Sequence, residues 1–288
     1  MGRFKKKIKK AWRAVTHSQK ATIGLIMILI LLLVALTAPL LARYGVEQIA
    51  AGAPFTKPCS AYPFGTDNYG RDVFSRVLIG TRVSLRMAFT VAALSILIGV
   101  PLGVIAGFNG GTVGAIIMRI VDVMLCFPWI MVALCVAALI GSGEKVVIIS
   151  LVFAYVPTFV RLMQGVVLSV KEEEYISAAK VTGESRFTTV MKYVIPNCLA
   201  PLIVEATLVM SFVVLDEAAI SYLGIGVQPP TPSWGVMLNE SSQFIWNATY
   251  LSILPGIAIA YTVLSINLFG DGLRDILDPR YMGGLREN

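Results

Sequence analysis

The sequence predicts an all-α membrane protein with six transmembrane helices, and three observations support this prediction. Hydrophobic residues make up 56% of the 288 residues, and charged residues only 14%, compared with about a quarter in a soluble protein. Several apolar runs reach the roughly 20 residues that a helix needs to cross a bilayer. These runs are continuous and do not alternate with polar residues in short segments, which argues against a transmembrane barrel.

Six apolar runs are long enough to serve as spans, and the polar connections between them are too short to hold a separate core. We therefore expect one transmembrane domain at residues 21–270, between a tail at 1–20 and a second tail at 271–288. The predicted spans are 21–42, 83–107, 113–140, 146–168, 199–223 and 250–269.

Basic residues predict the orientation of these spans. The amino-terminal tail carries eight Lys or Arg residues, and more follow in the loop after the fourth span and in the carboxy-terminal tail. With six spans, these three segments lie on one side, which the positive-inside rule assigns to the cytoplasm. The bias also explains the net charge of +7, so no nucleic-acid partner is needed.

The amino-terminal tail has a pattern of its own, and the first span that follows it is too long for a cleaved signal peptide. Apolar residues recur at helical spacing among the lysines of the tail, as Phe4, Ile8, Trp12 and Val15 show. The pattern favours a short helix lying on the anionic inner leaflet. A disordered basic tail is the alternative.

A polar segment at 171–197 interrupts the apolar chain. Ala178 and Ala179 would leave one helix face flat enough for close approach by another protein. Gly183 can adopt the positive φ that ends this helix and starts a second one, and Pro196 would stop the second helix before the next apolar run. The segment is predicted to be a docking element, with an ordinary solvated loop as the alternative.

Proline and glycine suggest how the spans pack. A glycine stripe at Gly99, Gly103 and Gly107 predicts close contact with another helix. An interior proline kinks a helix and can act as a hinge, although a rigid packing kink is at least as good an explanation for any one of them. A proline lies in or beside every predicted span, and four look interior: Pro101, Pro128, Pro157 and Pro255.

Few ionisable residues lie within the spans, and their cost in hydrocarbon makes each a functional candidate. Arg119 and Asp122 are three residues apart and could pair on one helix face. Arg161 lies in the fourth span. The alternative for every one of these groups is a structural polar contact between helices. The candidates for a translocation path are Asp122, Glu205, Asp216 and Glu217.

Catalytic and metal-binding patterns are not found in the sequence. It contains no phosphate-binding loop, nucleophile elbow or HExxH motif, and His17 is the single histidine. Cys126 and Cys135 would point to opposite faces of one helix, so they are not expected to share a disulfide or a metal. We expect no catalytic residue, no metal site and no cofactor bound by this chain.

Four blocks in order resemble the permease subunit of a bacterial ATP-binding-cassette importer, and more narrowly the second permease of the dipeptide, oligopeptide and nickel group. The second of them is the small-residue pattern of the 171–197 segment, with Ala178, Ala179, Gly183 and Pro196. The others read FGTDNYGRDVFSR at 64–76 with GTRVSL at 80–85, SYLGIGVQPPTPSWG at 221–235, and NLFGDGLRDILDPR at 267–280.

The resemblance implies a type I importer permease fold in which the 171–197 loop forms coupling helices. These would seat in a cleft of a separate ATPase subunit, which uses ATP and Mg²⁺. Ser177 replaces the glutamate that names the general coupling motif, and Tyr193 stands where isoleucine is common. Glu205 stands where an apolar or amide side chain is expected. The implied coupling residues are Glu174, Tyr175, Ala178, Ala179, Gly183 and Pro196.

The resemblance also implies partners: a homologous second permease, one or two ATPase subunits, the lipid bilayer and an extracellular solute-binding protein. The expected contacts with that binding protein are Gln228, Pro229, Pro230 and Trp234. For Trp234, a residue of the aromatic belt at the membrane interface is the alternative.

The implied function is import of di- or oligopeptides across a bacterial inner membrane. A nickel chelate, glutathione or another peptide-like ligand is the alternative substrate. An ion-coupled secondary carrier is an alternative from another class, but neither coupling-ion sites nor an internal repeat is found in the sequence. A membrane scaffold is a third class, and it would not require the docking loop.

Overall fold

The computed structural model describes residues 18–277, and within them helix is the only regular structure apart from one isolated bridge between Thr66 and Asp72. The helices are α1 Gln19–Leu41, α2 Val73–Asn109, α3 Gly111–Leu125, α4 Trp129–Ile140, α5 Glu144–Lys171, α6 Glu174–Val181, α7 Arg186–Thr189, α8 Ile195–Tyr222, α9 Trp234–Ser241 and α10 Tyr250–Leu277. A π-helical turn, Val190–Val194, joins α7 to α8, and a 3₁₀ turn, Ser242–Phe244, follows α9. The predicted helix in the amino-terminal tail lies outside the described residues, as does the chain after Leu277.

Five of the described helical segments are long and apolar enough to cross a membrane, and a sixth crossing results if α3 and α4 count as one span. The third predicted span, 113–140, is therefore not one straight helix, because α3 and α4 meet at an angle of 85°. Pro128 is the cause. It lies at the amino-terminal cap of α4, with a ψ of 127°. Proline also disfavours helical geometry in the preceding residue.

The break places the two cysteines of this span on different helices, whereas the prediction put them on opposite faces of one helix. Cys126 lies at the end of α3, and Cys135 lies in α4. Both thiols are free. The other three predicted interior prolines lie inside unbroken helices, namely Pro101 in α2, Pro157 in α5 and Pro255 in α10.

Pro196 does not stop a helix, contrary to the prediction. It lies in the first turn of α8, and the helical segment Arg186–Tyr222 runs through it without a break. The π-helical turn immediately before it supplies the reason. A proline ring clashes with the carbonyl four residues earlier in an α-helix, and the wider i→i+5 turn relieves that clash.

The glycine stripe of α2 is a helix contact, as predicted. A Cβ added at Gly99 would lie 2.7 Å from the Cβ of Phe159, and one added at Gly103 would lie 2.6 Å from the Cβ of Met163. Real Cβ atoms essentially never approach so closely. The matched residue numbers rise together, so α2 and α5 run parallel.

Helix α1 packs antiparallel to α10. Gly24 lies against the backbone of Phe269, and Gly272 lies against the backbone of Ala21. The ion pair between Lys20 Nζ and Asp275 Oδ2, at 3.3 Å, places the start of α1 beside the end of α10. Much of the rest of α1 is exposed and apolar, including Leu36 at 77% and Leu40 at 86%. This surface suits lipid.

The connections between helices gather at two ends of the bundle. We call residues 172–194 the arm. We call residues 43–72 together with 223–249 the cap. Helices α2 and α5 both run from the cap to the arm, whereas α8 runs from the arm to the cap, as the hydrogen bond between Ser84 of α2 and Glu217 of α8 shows.

Candidate functional site

The arm is a helix–turn–helix, and Gly183 forms its turn. This residue has a φ of +78°, with open space around it. The backbone N–H of Glu184 donates to the carbonyl of Ala179 at 3.1 Å, which closes the end of α6. Ser185 then caps α7 by accepting a hydrogen bond from the N–H of Thr188 at 3.1 Å. The positive φ predicted for Gly183 is confirmed.

One side chain anchors α6 to the bundle. Ile176 is fully buried in an apolar cluster with Val170 of α5 and Val194 of the π-helical turn. Ala179 is also buried, at 5% exposure, whereas Ala178 is exposed. The two alanines therefore do not form one flat face, contrary to the prediction, and Ala178 alone lies on the outer surface of α6.

The outer surface of the arm combines polar and large apolar side chains. Glu174 is exposed and Tyr175 is 41% exposed. Val181 and Phe187, on either side of the turn at Gly183, are 89% and 75% exposed. Exposed apolar side chains next to a polar rim are typical of a surface that another protein covers.

Hydrogen bonds tie the base of the arm to α8. Asn197 donates through Nδ2 to the backbone carbonyl of Tyr193 at 2.7 Å and to the Tyr175 hydroxyl at 3.3 Å. The rings of Tyr175 and Tyr193 lie 6.0 Å apart. Glu184 accepts hydrogen bonds from Lys192 Nζ at 2.7 Å and from the Tyr193 hydroxyl at 3.3 Å. Tyr193, which stands where the resemblance implies an isoleucine, thus contacts both halves of the arm.

Asp122 does not pair with Arg119, as the spacing suggested, but with Arg161 of α5. Arg161 NH2 lies 2.7 Å from Asp122 Oδ1, and the two side chains are 52% and 46% exposed. A half-exposed ion pair within membrane-spanning helices is costly in contact with lipid. This face of α3 and α5 therefore requires water or another protein against it.

Asp216 and Glu217 both accept hydrogen bonds from side chains inside the bundle. Asp216 Oδ2 accepts a hydrogen bond from the Tyr155 hydroxyl at 2.6 Å. Glu217 is fully buried and accepts hydrogen bonds from the hydroxyls of Ser84, at 3.1 Å, and Ser221, at 2.9 Å. Glu217 therefore faces no opening, which agrees with the alternative of a structural polar contact between helices.

Glu205 faces an open space between α5, α8 and α10. The cavity has a volume of about 470 Å³, and Arg274 of α10 also lines it. The remaining walls are apolar and come from Leu162, Ala200, Pro201, Val204, Leu208 and Leu277.

A charge network joins the cap to the bundle, and no local pattern in the sequence predicts it. Arg71 Nε lies 2.5 Å from Asp67 Oδ2, and its NH2 lies 2.9 Å from Glu240 Oε2. Arg76 NH2 lies 2.8 Å from the same Glu240 oxygen, and the Arg76 side chain is 1% exposed. The network joins the first cap segment, α2 and α9.

Trp234 contradicts both predictions made for it. The residue is fully buried, and its indole Nε1–H donates to the carbonyl of Val77 at 3.2 Å. It therefore contacts neither a binding protein nor the membrane interface. The indole fits against Gly80, where an added Cβ would lie 3.0 Å from Trp234 Cδ1. A small residue on α2 thus makes room for the largest side chain of α9.

Gln228, Pro229 and Pro230 remain at the surface of the cap. The Gln228 amide donates to the backbone carbonyls of Gly224 and Gly226, both at 2.9 Å, and so stabilises its own loop. The two prolines line a groove of about 360 Å³ together with Glu47, Ile49, Tyr69, Arg71 and Glu240.

Within residues 18–277, no group of His, Cys, Asp and Glu side chains could hold a metal ion. The features that stand out are the arm, the charged cavity and the cap over one end of the apolar helices. Together they indicate a multi-pass membrane protein with a surface for a protein partner at one end and a charged space among its spans.

The comparisons with known proteins give the family. Residues 99–283 match the family described as the inner membrane component of binding-protein-dependent transport systems. Residues 7–58 match the amino-terminal transmembrane domain of oligopeptide transport permease C. The chain belongs to this family, and it is a non-catalytic permease subunit of an ATP-binding-cassette importer, as the resemblance implied.

Individual relatives agree with this assignment. A dipeptide transport system permease of Alkalihalophilus pseudofirmus is 39% identical over 272 residues, covering 94% of this chain and 90% of the relative. A di/tripeptide transport system permease of Pseudomonas aeruginosa is 38% identical over 279 residues, covering 95% and 92%. A glutathione transport system permease of Pectobacterium atrosepticum is 37% identical over 270 residues, covering 93% and 90%.

A solved structure confirms the predicted fold. An inward-facing form of the MetNI methionine ABC transporter matches with a TM-score of 0.59 and 20% sequence identity. The match covers 70% of this chain and 97% of the solved chain. The likeness establishes a type I importer permease fold. The family match and the apolar helices identify the chain as a multi-pass inner-membrane protein.

Proposed function

We propose that this chain pairs with a homologous second permease to form a path for di- and oligopeptides across a bacterial inner membrane. An extracellular solute-binding protein delivers the peptide to the cap, and one or two ATPase subunits bind the arm. The arm is the observation that carries the proposal. Its exposed surface suits a protein partner, and its buried anchor connects that partner to the helices.

The arm is built to transmit movement. Ile176 fixes α6 against the ends of α5 and α8, and Lys171 Nζ donates to the carbonyl of Phe108 at the end of α2, at 3.1 Å. A displacement of α6 by its partner must therefore move these helices as well. Binding of ATP and Mg²⁺ by the ATPase would favour one orientation of the bundle, and hydrolysis would restore the other.

The orientation of the chain follows from the same proposal. The arm must lie in the cytoplasm, where ATP is available. The ion pair between Lys20 and Asp275 joins the start of α1 and the end of α10. Both described ends of the chain therefore lie on one side of the bundle, as an even number of crossings requires. Together with the positive-inside rule, this supports cytoplasmic termini.

The cap groove supports the binding-protein contact. Pro229 and Pro230 line it beside Tyr69 and Ile49, and aromatic and apolar side chains with restricted freedom are favourable at protein interfaces. Arg71 also lines the groove, although Asp67 and Glu240 hold its guanidinium.

The peptide substrate is supported by the names of the relatives, among which dipeptide and di/tripeptide permeases have high coverage. Glutathione is the second candidate, because a relative named as a glutathione permease is nearly as similar. A nickel chelate remains the further alternative implied by the family group.

The decisive experiment is Gly183→Val in the complete importer, reconstituted in vesicles with its binding protein. A β-branched residue at positive φ costs about 1–3 kcal/mol, which should distort the turn and lower peptide uptake about tenfold or more while ATP hydrolysis continues. Gly141→Val is the matched control, because Gly141 has a φ of +80° and open space around it but lies at the end of α4. Unchanged uptake in Gly183→Val, or uptake without any ATPase, would contradict the proposal.

A further inference from the structure

The cavity between α5, α8 and α10 has an unusual distribution of charge. Glu205 and Arg274 are the only ionisable residues among its described lining, and they are opposite in sign. In the part of the chain that the structure describes, neither forms an ion pair within 4.0 Å or a side-chain hydrogen bond. The two charged side chains thus line the same cavity without a direct contact between them.

The depth of the cavity places it inside the membrane-spanning part of the bundle. Glu205 lies ten residues after the start of α8 at Ile195, which is about 15 Å along a helix at 1.5 Å per residue. Arg274 lies in the last turn of α10. The cavity therefore opens in the half of the bundle nearer the arm.

Neither group is explained by packing. A carboxylate within a membrane-spanning helix is costly unless it is paired or faces water, and Asp216 and Glu217 of α8 follow that rule through Tyr155, Ser84 and Ser221. Glu205 has no such hydrogen bond and meets the requirement only by facing the open cavity, where Arg274 is the charge of opposite sign. An unsatisfied acid that lines an open cavity is expected to meet its partner in a passing ligand.

We propose that this cavity is a transient subsite for a short zwitterionic peptide, with Glu205 binding the amino-terminal ammonium and Arg274 binding the carboxylate. The inference rests on the proposed function, since it takes the peptide as the transported solute. The volume of about 470 Å³ is within the usual range for small-molecule sites, roughly 300–1,000 Å³. The apolar walls, including Leu162, Val204 and Leu208, suit peptide side chains of varied shape.

Uptake of radiolabelled dialanine by the complete reconstituted importer tests the role of Glu205. We expect Glu205→Gln to lower the maximal rate of uptake about tenfold, because a charge-assisted hydrogen bond is lost. The binding-protein concentration that gives half-maximal uptake should not change, since delivery is untouched, and Glu205→Asp should recover most of the rate. The matched control is Glu144→Gln, which removes an exposed acid that pairs with Arg86 at the cap end of α5.

Photolabelling gives a readout that a structural role would not move. A dipeptide with a diazirine side chain, added to the solubilised complex without binding protein, should label α8 near Glu205. Dialanine should compete with the label in the native complex, but lactyl-alanine, with a hydroxyl in place of the ammonium, should not. In Glu205→Gln the two competitors should become equally weak.

Arg274→Gln provides an independent test at the other end of the peptide. It should abolish the advantage of dialanine over its carboxyl-terminal amide in the same competition. If the native complex imports dialanine but Glu205→Gln and Arg274→Gln import and label as it does, the subsite is refuted and the proposed function stands. If the native complex imports no peptide at all, the proposed function fails, and the subsite fails with it.

Discussion

The cap and the arm differ in what their charged and large apolar side chains contact. Where the cap meets α2, Asp67, Arg71 and Arg76 are buried together, Glu240 pairs with both arginines, and Trp234 is fully enclosed. In the arm, Ile176 and Ala179 are the buried ones among the described side chains of α6, while Val181 and Phe187 are exposed. The charge network at the cap pairs Asp67 and Glu240 with two arginines, whereas the arm leaves apolar side chains exposed for a partner.

The difference has an energetic meaning. A buried charge network tolerates no missing member, because each remaining charge is then uncompensated in a low-dielectric environment. An exposed surface tolerates substitution in the isolated chain, since its contacts form only in the complex. Changes in the charge network of the cap should therefore act on folding, and changes in the arm should act on assembly or on local stability.

The largest expected effect is Glu240→Gln in the cap. Arg71 and Arg76 share this carboxylate, and removal of its charge should destabilise the purified chain by about 3–5 kcal/mol. Thermal unfolding of the detergent-solubilised protein measures the loss. Glu174→Gln in the arm is the matched control and should change stability by less than about 0.5 kcal/mol. Equal stability of the two variants would refute the contrast between cap and arm.

Ile176→Ala should come next. Truncation of a buried isoleucine costs about 2–5 kcal/mol, but here the loss should remain local, because α6 makes few other buried contacts. We expect faster hydrogen exchange at Glu174–Val181 with little change in the midpoint of global unfolding. Val181→Ala, on an exposed side chain of the same helix, is the control. A drop in the global midpoint as large as that of Glu240→Gln would mean that the arm is part of the main core.

The smallest effect is expected for Tyr193→Phe. This change removes one hydroxyl hydrogen bond to Glu184 and keeps the ring beside Tyr175, so the cost should be about 0.5–1.5 kcal/mol. Hydrogen exchange in the π-helical turn should rise slightly. Tyr222→Phe at the exposed end of α8 controls for loss of a tyrosine hydroxyl. No difference between the two variants would show that the link across the arm contributes nothing.

The features that were predictable from the sequence are those that depend on local pattern. Apolar runs located the spans, the spacing of three glycines located the contact between α2 and α5, and the polar sequence around Gly183 indicated a turn. Each signal lies within a few tens of residues, where periodicity and backbone preference dominate. The limits of the helices were less certain, since α2 begins at Val73 and α10 extends to Leu277.

The features that were missed depend on contacts between distant segments. Glu240 lies far along the chain from Arg71 and Arg76, so no local pattern pairs them. Asp122 has Arg119 as its neighbour in sequence, but the geometry of α3 and α5 gives it Arg161 instead. Trp234 looks like a surface anchor among prolines until α9 folds back on α2. Only the bend at Pro128 had a local cause that could have been weighted more heavily.

The unbroken helical segment Arg186–Tyr222 has a mechanical consequence. Its 37 residues form a rod of about 55 Å, and its midpoint falls at residue 204, beside Glu205. If this rod rotates by about 10° about its midpoint, its two ends move by about 5 Å in opposite directions, given the length above. The midpoint itself hardly moves, so a solute bound there would stay in place while one end of the path closes and the other opens.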